Sequence, residues 1–321
     1  MQLREALRCG LKTLSSSETP SSELAAELLL MHVLGCDRAY LYAHPEVRLS
    51  DAETRRYLEL IDERSTGKPT QYITGHQEFW GLDFEVTPAV LIPRPETEHV
   101  VEAVLSFLGR GLLFPKDSFP PARRALSLWE RGDRAAVGEG SRPAIGNPAG
   151  TRIVDVGTGS GCIALALASE LPGAEIFATD ISPAALAIAR RNALRLGFSD
   201  RIDFIEGDLL APFLDNDLCG TFDFVVSNPP YVALDELDSV QREVREFEPR
   251  IAWGGTEDSG AIYHRLFSQA LEVLKPGGHV VVEIGYSMRD QVLGLLASGW
   301  ADRKVHPDLS GIPRVVAASK D

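Results

Sequence analysis

The chain has 321 residues, which at about 150 residues per domain predicts two domains. Hydrophobic residues make up 44% and charged residues 24%, a balance that excludes a collagen-like, coiled-coil or wholly disordered chain. The formal net charge of −14 disfavours contact with bare duplex, so we expect no direct binding to nucleic acid. We also expect a monomer.

The chain carries no pattern for membrane insertion or export. No apolar run reaches the ~18 residues of a membrane helix, and the N-terminus lacks the basic and then apolar pattern of a signal peptide. Four widely spaced cysteines predict buried thiols in a reducing compartment rather than disulfides or a zinc site. We therefore expect a cytoplasmic protein with no membrane partner and no metal. The cysteines are Cys9, Cys36, Cys162 and Cys219.

The first 92 residues predict two structures. Apolar residues at helical spacing through residues 1–70 predict a small helical bundle, which ends at the turn residues Gly67 and Pro69. Residues 71–92 alternate apolar and polar side chains around further turn residues, which predicts a hairpin linker.

Residues 93–321 predict a third region that contains an insertion. A helical pattern covers residues 96–108, and residues 109–150 are then rich in glycine and proline. This segment has seven Arg or Lys against four Asp or Glu, so it is net +3 while the rest of the chain is −17. We predict a solvated, flexible insertion with a short helix near residues 122–129. A basic docking loop for RNA or an acidic partner is the alternative.

After Gly150, short apolar strands alternate with helices. This order predicts an α/β domain with a doubly wound, mostly parallel sheet, closed by an antiparallel pair that brings the total to seven strands. The predicted strands are 152–156, 175–179, 202–205, 222–227, 279–284, 304–306 and 314–319, and the predicted helices include 163–169 and 183–196.

A glycine-rich turn follows the first of these strands, in the sequence VDVGTGSGCIA. Backbone N–H groups at the start of the next helix face the edge of the sheet, and glycines allow a ligand to approach closely. Cys162 stands where a dinucleotide fingerprint has its last glycine, and no Walker lysine occurs. The turn alone is equally compatible with a structural role.

Acidic residues follow the next two strands. Asp180 lies where a carboxylate accepts hydrogen bonds from a ribose diol, although it could instead cap the helix that begins after Ser182. Asp208 could accept a hydrogen bond from an exocyclic amine, but Gly-Asp is also a common turn.

The segment FDFVVSNPPY carries the clearest chemical signal. Its apolar strand delivers Asn228 to the carboxyl edge of the sheet, and two prolines then remove backbone donors. The side-chain carbonyl of Asn228 and the backbone carbonyl of Pro229 can accept both hydrogens of one planar NH₂ group. Tyr231 offers a flat face for that group, or packs in the core.

Together, GTGSG, Asp180, Asp208 and NPPY resemble the S-adenosylmethionine-dependent methyltransferases that act on amide or amine nitrogen. The segments GHQEFWG, LIPRPETE and FEPR extend the resemblance over most of the chain to the PrmC/HemK family, the glutamine N5-methyltransferases of peptide chain release factors. Two features depart from the family pattern: the long insertion, and His76-Gln77 where more glycine is common.

This resemblance implies a helical substrate-docking domain (1–70), a hairpin linker (71–92) and a Rossmann-like catalytic domain (93–321). It implies S-adenosylmethionine as the cofactor and the glutamine of the Gly-Gly-Gln motif in class 1 release factors as the substrate. The implied cofactor residues are Gly157, Thr158, Gly159, Ser160, Gly161, Asp180, Asp208, Leu209 and Asn228. The implied catalytic residues are Asn228, Pro229 and Tyr231, and the implied substrate contacts are these three with Pro230 and Arg94.

Several interpretations stay open. Arg94 could be a surface turn, Phe79 and Trp80 more readily pack the linker against the catalytic domain than line a substrate pocket, and Glu248 and Glu283 receive no role. Other functions for the same motifs are N6-adenine methylation of DNA or RNA, methylation of lysine or another protein nitrogen, and a non-catalytic assembly factor that binds the cofactor.

Overall fold

The computed structural model describes residues 1–110, 150–256, 260–308 and 310–321. Among these, residues 1–76 and 242–247 form one compact unit, and the other described residues form a second. Nearly all of the predicted insertion, including its short helix near residues 122–129, lies outside the described residues.

The described elements follow the predicted order. The helices are α1 (Leu3–Ser16), α2 (Ser22–Leu34), α3 (Arg38–Ala43), α4 (Asp51–Ser65), α5 (Thr70–Thr74), α6 (Glu98–Phe107), α7 (Cys162–Glu170), α8 (Pro183–Leu196), α9 (Arg242–Phe247), α10 (Arg250–Trp253), α11 (Ala261–Val273) and α12 (Arg289–Leu295). The strands are β1 (His76–Phe79), β2 (Leu82–Glu85), β3 (Arg152–Val156), β4 (Glu175–Asp180), β5 (Ile202–Glu206), β6 (Phe222–Ser227), β7 (Val232–Ala233), β8 (Gly254–Thr256), β9 (Leu274–Glu283), β10 (Trp300–Pro307) and β11 (Pro313–Lys320).

The first unit is a helical bundle, as the periodicity predicts. Ser50 and Glu53 form a capping box at the start of α4, which satisfies two backbone N–H groups that the helix itself cannot pair. Gly10 lets α1 approach the buried Tyr57 of α4, because a Cβ at that position would lie 2.1 Å from the tyrosine Oη. In the same unit, the buried Arg64 forms an ion pair with Glu243 of α9.

The second unit contains a seven-stranded sheet in the order β10-β11-β9-β6-β3-β4-β5. The five strands from β9 to β5 pair in parallel, and β11 and β10 close the sheet in antiparallel pairing. The doubly wound, mostly parallel sheet is therefore confirmed. β9 begins at Leu274, five residues before its predicted start, across a Pro-Gly-Gly segment of residues that are unusual in strands.

The hairpin of β1 and β2 packs on helices of the second unit. Trp80 donates its backbone N–H to Glu98 Oε1 (2.8 Å) and its indole Nε1–H to Glu170 Oε1 (3.1 Å), and Phe79 is buried. The packing role expected for Phe79 and Trp80 thus agrees with the structure. The first unit extends to His76, six residues past the predicted end of the bundle, because residues 70–74 form α5 rather than the start of the hairpin.

The expectation of four buried thiols was wrong. Cys9 and Cys219 are exposed, and Cys36 and Cys162 are half-buried. Cys9 lies one position before the buried Gly10 on α1, so its side chain leaves the helix about 100° away from the Gly10 position. No helix among the described residues is long and apolar enough to cross a membrane.

The burial and hydrogen bonds of Asn192 on α8 predict that this side chain contributes measurably to stability. It is fully buried, accepts the Glu85 N–H (2.7 Å), and donates to the carbonyls of Glu85 (3.0 Å) and Ser160 (2.9 Å). We expect Asn192→Ala to lower the free energy of unfolding by about 2 kcal/mol, because a buried side chain loses three hydrogen bonds together. The neighbouring Arg191→Ala should cost less than about 1 kcal/mol, since its pair with Glu85 is exposed. Equal losses in urea denaturation would contradict this role.

Candidate functional site

The site lies where parallel strands of the second unit end together. Val156 pairs with Thr179 of β4 and with Ser227 of β6, so the next residues of the three strands are Gly157, Asp180 and Asn228. A cavity of about 290 Å³ opens at this edge, and all three line it. Its other walls come from residues 89–97, from the residues that follow β5, and from α10 and α11. Its volume lies near the lower end of ordinary small-molecule pockets.

The glycine turn forms one side of the cavity. Gly157, Gly159 and Gly161 have φ angles of 70°, 56° and 85°, a region that favours glycine. A Cβ at Gly157 or Gly159 would meet nothing within 4 Å, whereas one at Gly161 would lie 3.1 Å from Leu165 and 3.3 Å from Ala189. The first two glycines therefore set the path of the turn beside open space, and the third lets α7 and α8 pack closely.

Asp155 supports this turn from within the sheet. It is fully buried, and its Oδ2 accepts the Thr158 hydroxyl (2.6 Å) and the Ala164 N–H of α7 (3.2 Å). Burial raises the pKa of its carboxyl to about 7. We did not expect a role for this residue, although an acid inside a largely apolar strand is a usable sequence signal.

Ser160 belongs to the same turn. It lines the cavity and is buried. Its hydroxyl interacts with the Cys162 thiol, which lowers the pKa of that thiol against the larger raising effect of burial.

Asp180 lies beside the same turn. Its Oδ2 accepts the Gly159 N–H and its Oδ1 accepts the Ser182 N–H, each at 2.9 Å, and burial raises the pKa of its carboxyl. The helix α8 is capped by Ser182, whose hydroxyl accepts the Ala185 N–H, so the capping alternative for Asp180 was wrong. Each carboxylate oxygen has two lone pairs and can accept a further hydrogen bond from a ligand.

Asp208 and Leu209, which follow β5, also line the cavity. Asp208 Oδ2 accepts from Arg265 at 2.5 Å, and Arg265 also lines the cavity. Leu209 has a φ of 53°, a conformation that is costly for a leucine and turns the chain after β5.

Asn228 is held by a series of hydrogen bonds that sequence analysis missed. Its Nδ2 donates to Thr97 Oγ1 (3.0 Å), and the Thr97 hydroxyl donates to Glu283 Oε2 (2.6 Å). Thr97 and Glu283 are 2% and 3% exposed, and burial raises the pKa of the Glu283 carboxyl to about 7. Their only sequence signals were the position of Thr97 within LIPRPETE and of Glu283 at the end of an apolar strand.

The residues after Asn228 divide between the cavity and the core. Pro230 lines the cavity, but Pro229 is buried and Tyr231 packs against the hydrophobic core, and neither is among the lining residues. Burial raises the pKa of the Tyr231 phenol. A Cβ at Gly285 would lie 3.0 Å from the Tyr231 ring, so the glycine makes room for it.

Glu248 holds the segment that carries Arg94. Its Oε1 accepts from Arg94 Nη2 (2.6 Å), and its Oε2 accepts the Ile92 N–H (3.3 Å). Arg94 lines the cavity, whereas Glu248 is buried behind it. The pairing gives a structural role to an acid to which the sequence analysis assigned none.

Most of the expected site residues thus meet at one cavity. Gly161, Pro229 and Tyr231 are the expected residues outside its lining, and Phe79 and Trp80 also lie outside it. Within the part of the chain that the structure describes, no cluster of three His, Cys, Asp or Glu could hold a metal ion. The expected site residues that line the cavity are Arg94, Gly157, Thr158, Gly159, Ser160, Asp180, Asp208, Leu209, Asn228 and Pro230.

Known proteins match the chain over its whole length. The PrmC N-terminal domain model matches residues 5–75, and a methyltransferase domain model matches residues 147–303. A release factor glutamine methyltransferase of Koribacter versatilis is 46% identical, with 100% of this chain and 99% of the relative covered. One from Moorella thermoacetica is 38% identical, with 99% and 98% covered. Among solved structures, the N-terminal domain of human METTL16 in complex with SAH is 17% identical, with a TM-score of 0.49 and 90% of each chain covered.

The Glu248 contacts predict a local change in hydrogen exchange. Glu248→Ala removes the acceptors of Arg94 and Ile92, so the Ile92 amide should exchange at least about tenfold faster. Glu246→Ala is the control, because Glu246 is exposed and pairs with Arg242 four residues away. Unchanged exchange in a peptide over residues 89–95 of Glu248→Ala would show that other contacts hold the segment.

Proposed function

Because the chain belongs to the release factor glutamine methyltransferase family, we propose that it transfers a methyl group from S-adenosylmethionine to the side-chain amide nitrogen of a glutamine. The substrate is the glutamine of the Gly-Gly-Gln motif in class 1 peptide chain release factors. The observation that carries the proposal is the Asn228 side chain, which is tethered through its amide nitrogen at a cavity built for a small ligand.

The residues around the cavity fit this cofactor. Gly157 and Gly159 leave open space on their Cβ sides. Asp180 would hold the ribose diol and Asp208 the adenine amine, because both carboxylates are acceptors. When bound, S-adenosylmethionine supplies an electrophilic methyl carbon on a positively charged sulfur.

The chain's own residues then address the weak nucleophilicity of an amide. The nitrogen lone pair of glutamine is delocalised into its carbonyl, so positioning must compensate. Asn228 Oδ1 accepts one amide hydrogen at the cavity wall. The backbone carbonyl of the next residue, Pro229, would accept the other, although Pro229 itself is buried and outside the lining, and the two acceptors together would direct the nitrogen toward the methyl donor. Both acceptors also stabilise the positive charge that develops on that nitrogen, an effect worth ~3 kcal/mol per well-placed group in other enzymes.

No base is needed before the attack. The nitrogen becomes strongly acidic once methylated, and its proton leaves afterwards to solvent. Pro230 and Tyr231 bound the substrate position, Pro230 from the cavity wall and Tyr231 from the core beside it. Arg94, held by Glu248, contacts the substrate at the rim.

Transfer of labelled methyl groups tests the function directly. With tritiated S-adenosylmethionine, we expect label to enter a class 1 release factor at one site per molecule. Replacing the glutamine of its Gly-Gly-Gln motif should abolish incorporation. Label in DNA or RNA, in lysine, or in no substrate would instead support adenine methylation, another protein nitrogen, or a non-catalytic role.

The role of Asn228 predicts a separation of turnover from cofactor affinity. Asn228→Ala should lower the methyl-transfer rate at least ~100-fold and leave the Kd for cofactor within about threefold, because the lost carbonyl acts on the substrate nitrogen. Asn216→Ala, which removes an exposed amide outside the cavity, is the control and should retain activity. Equal losses of affinity and turnover in Asn228→Ala would contradict the assignment.

A further inference from the structure

The Asn228 amide can in principle be held in two orientations. Its oxygen and nitrogen arms have nearly the same shape, and only the hydrogen-bond partners decide which arm lies where. The distinction is essential for the proposed chemistry. If Asn228 presented Nδ2 to the substrate, a hydrogen-bond donor would face the glutamine amide nitrogen, whose own hydrogens need acceptors.

Thr97 and Glu283 remove this ambiguity. Thr97 has one hydroxyl hydrogen, and an ionised carboxylate such as Glu283 can only accept. The Thr97 hydrogen is therefore committed to Glu283 Oε2 at 2.6 Å, which leaves Thr97 Oγ1 as an acceptor for Asn228. The arm of Asn228 that faces Thr97 at 3.0 Å must then be Nδ2, and Oδ1 is the arm that remains for the substrate.

Resting on the proposed function, we propose that Glu283 and Thr97 are positioning residues that fix the orientation of the Asn228 amide, so that its oxygen and not its nitrogen meets the substrate glutamine. Neither residue needs to touch the substrate nitrogen. Their effect passes through two hydrogen bonds, from a β9 carboxylate to a hydroxyl on the short 3₁₀ helix Pro95–Thr97 and then to the residue after β6.

The arrangement should respond to pH. Burial raises the pKa of the Glu283 carboxyl to about 7. Above this pH the carboxylate accepts from Thr97, whereas below it the protonated carboxyl can donate to Thr97 and free the threonine hydrogen to donate to Asn228 Oδ1. Turnover should therefore be lost as the pH falls below about 7. The charged or titratable groups that face Glu283 are Glu96, which raises its pKa, Arg94 and Arg314, which lower it, and Tyr231, Tyr263 and Cys162.

The test compares full-length variants with wild-type protein at saturating cofactor and release factor, across pH values on both sides of 7. Glu283→Gln keeps the shape of the side chain but can both donate and accept hydrogen bonds. We therefore expect kcat above pH 7 to fall at least about tenfold. The fall of kcat on the acidic side of the pH profile, called here the acidic limb, should disappear. The Kd for S-adenosylhomocysteine should stay within about twofold, because Glu283 does not line the cavity.

Three further variants separate positioning from folding. Thr97→Ser keeps the hydroxyl and should retain kcat within about threefold, whereas Thr97→Val removes it and should match Glu283→Gln. Glu96→Gln removes a like charge near Glu283, so its acidic limb should persist and move to lower pH. Thermal unfolding identifies any variant that loses activity through loss of structure.

The outcomes separate a failure of the positioning role from a failure of the proposed function. If the wild-type protein does not methylate the release factor, the proposed function fails before any variant is compared. If it does, a wild-type kcat in Glu283→Gln would overturn the positioning role. An acidic limb with an unchanged midpoint in that variant would also overturn it, since the ionisation would then belong to another group such as Asp155.

Discussion

The parallel pairing of β3 with β4 on one side and β6 on the other is the constraint on which the site depends. Because Val156 is in register with Thr179 and Ser227, the next residue along each strand, which is the last residue of β4 and the first residue after β3 and β6, must emerge at the same edge. Those residues are a glycine, a carboxylate and an amide. Under the proposed function, one edge of one sheet would supply space for the cofactor, an acceptor for its hydroxyls and an acceptor for the substrate amide.

Two buried carboxylates stand behind this edge and hold it in shape. Asp155 accepts hydrogen bonds from the glycine turn and from α7. Glu283 accepts a hydrogen bond from the Thr97 hydroxyl, which itself accepts one from Asn228 Nδ2. Burying a carboxyl group costs free energy, and the raised pKa values of both groups reflect that cost. In return, the positions of the turn and of the Asn228 amide are set by hydrogen bonds inside the protein before any ligand arrives, which is what an enzyme that works by positioning requires.

Local patterns predicted the parts of the molecule that depend on nearby residues. Alternating strands and helices were enough for the sheet, and the residues after three strands were enough for Gly157, Asp180 and Asn228. The supporting contacts were not predictable in this way, because Thr97 and Glu283 are 186 residues apart and Arg94 and Glu248 are 154 apart. The local sequence pattern also did not predict which side chains are buried. Cys9 and Cys219 are exposed, and Tyr231 packs into the core rather than lining the cavity.

A neutron crystal structure of the protein with S-adenosylhomocysteine and a Gly-Gly-Gln peptide would test the central claim most directly, because it distinguishes amide oxygen from nitrogen. We expect Asn228 Oδ1 to lie within about 3.2 Å of the glutamine amide nitrogen, with Nδ2 still donating to Thr97. An Asn228 amide that turned Nδ2 toward the peptide, or that lay beyond hydrogen-bond distance of the glutamine, would contradict it.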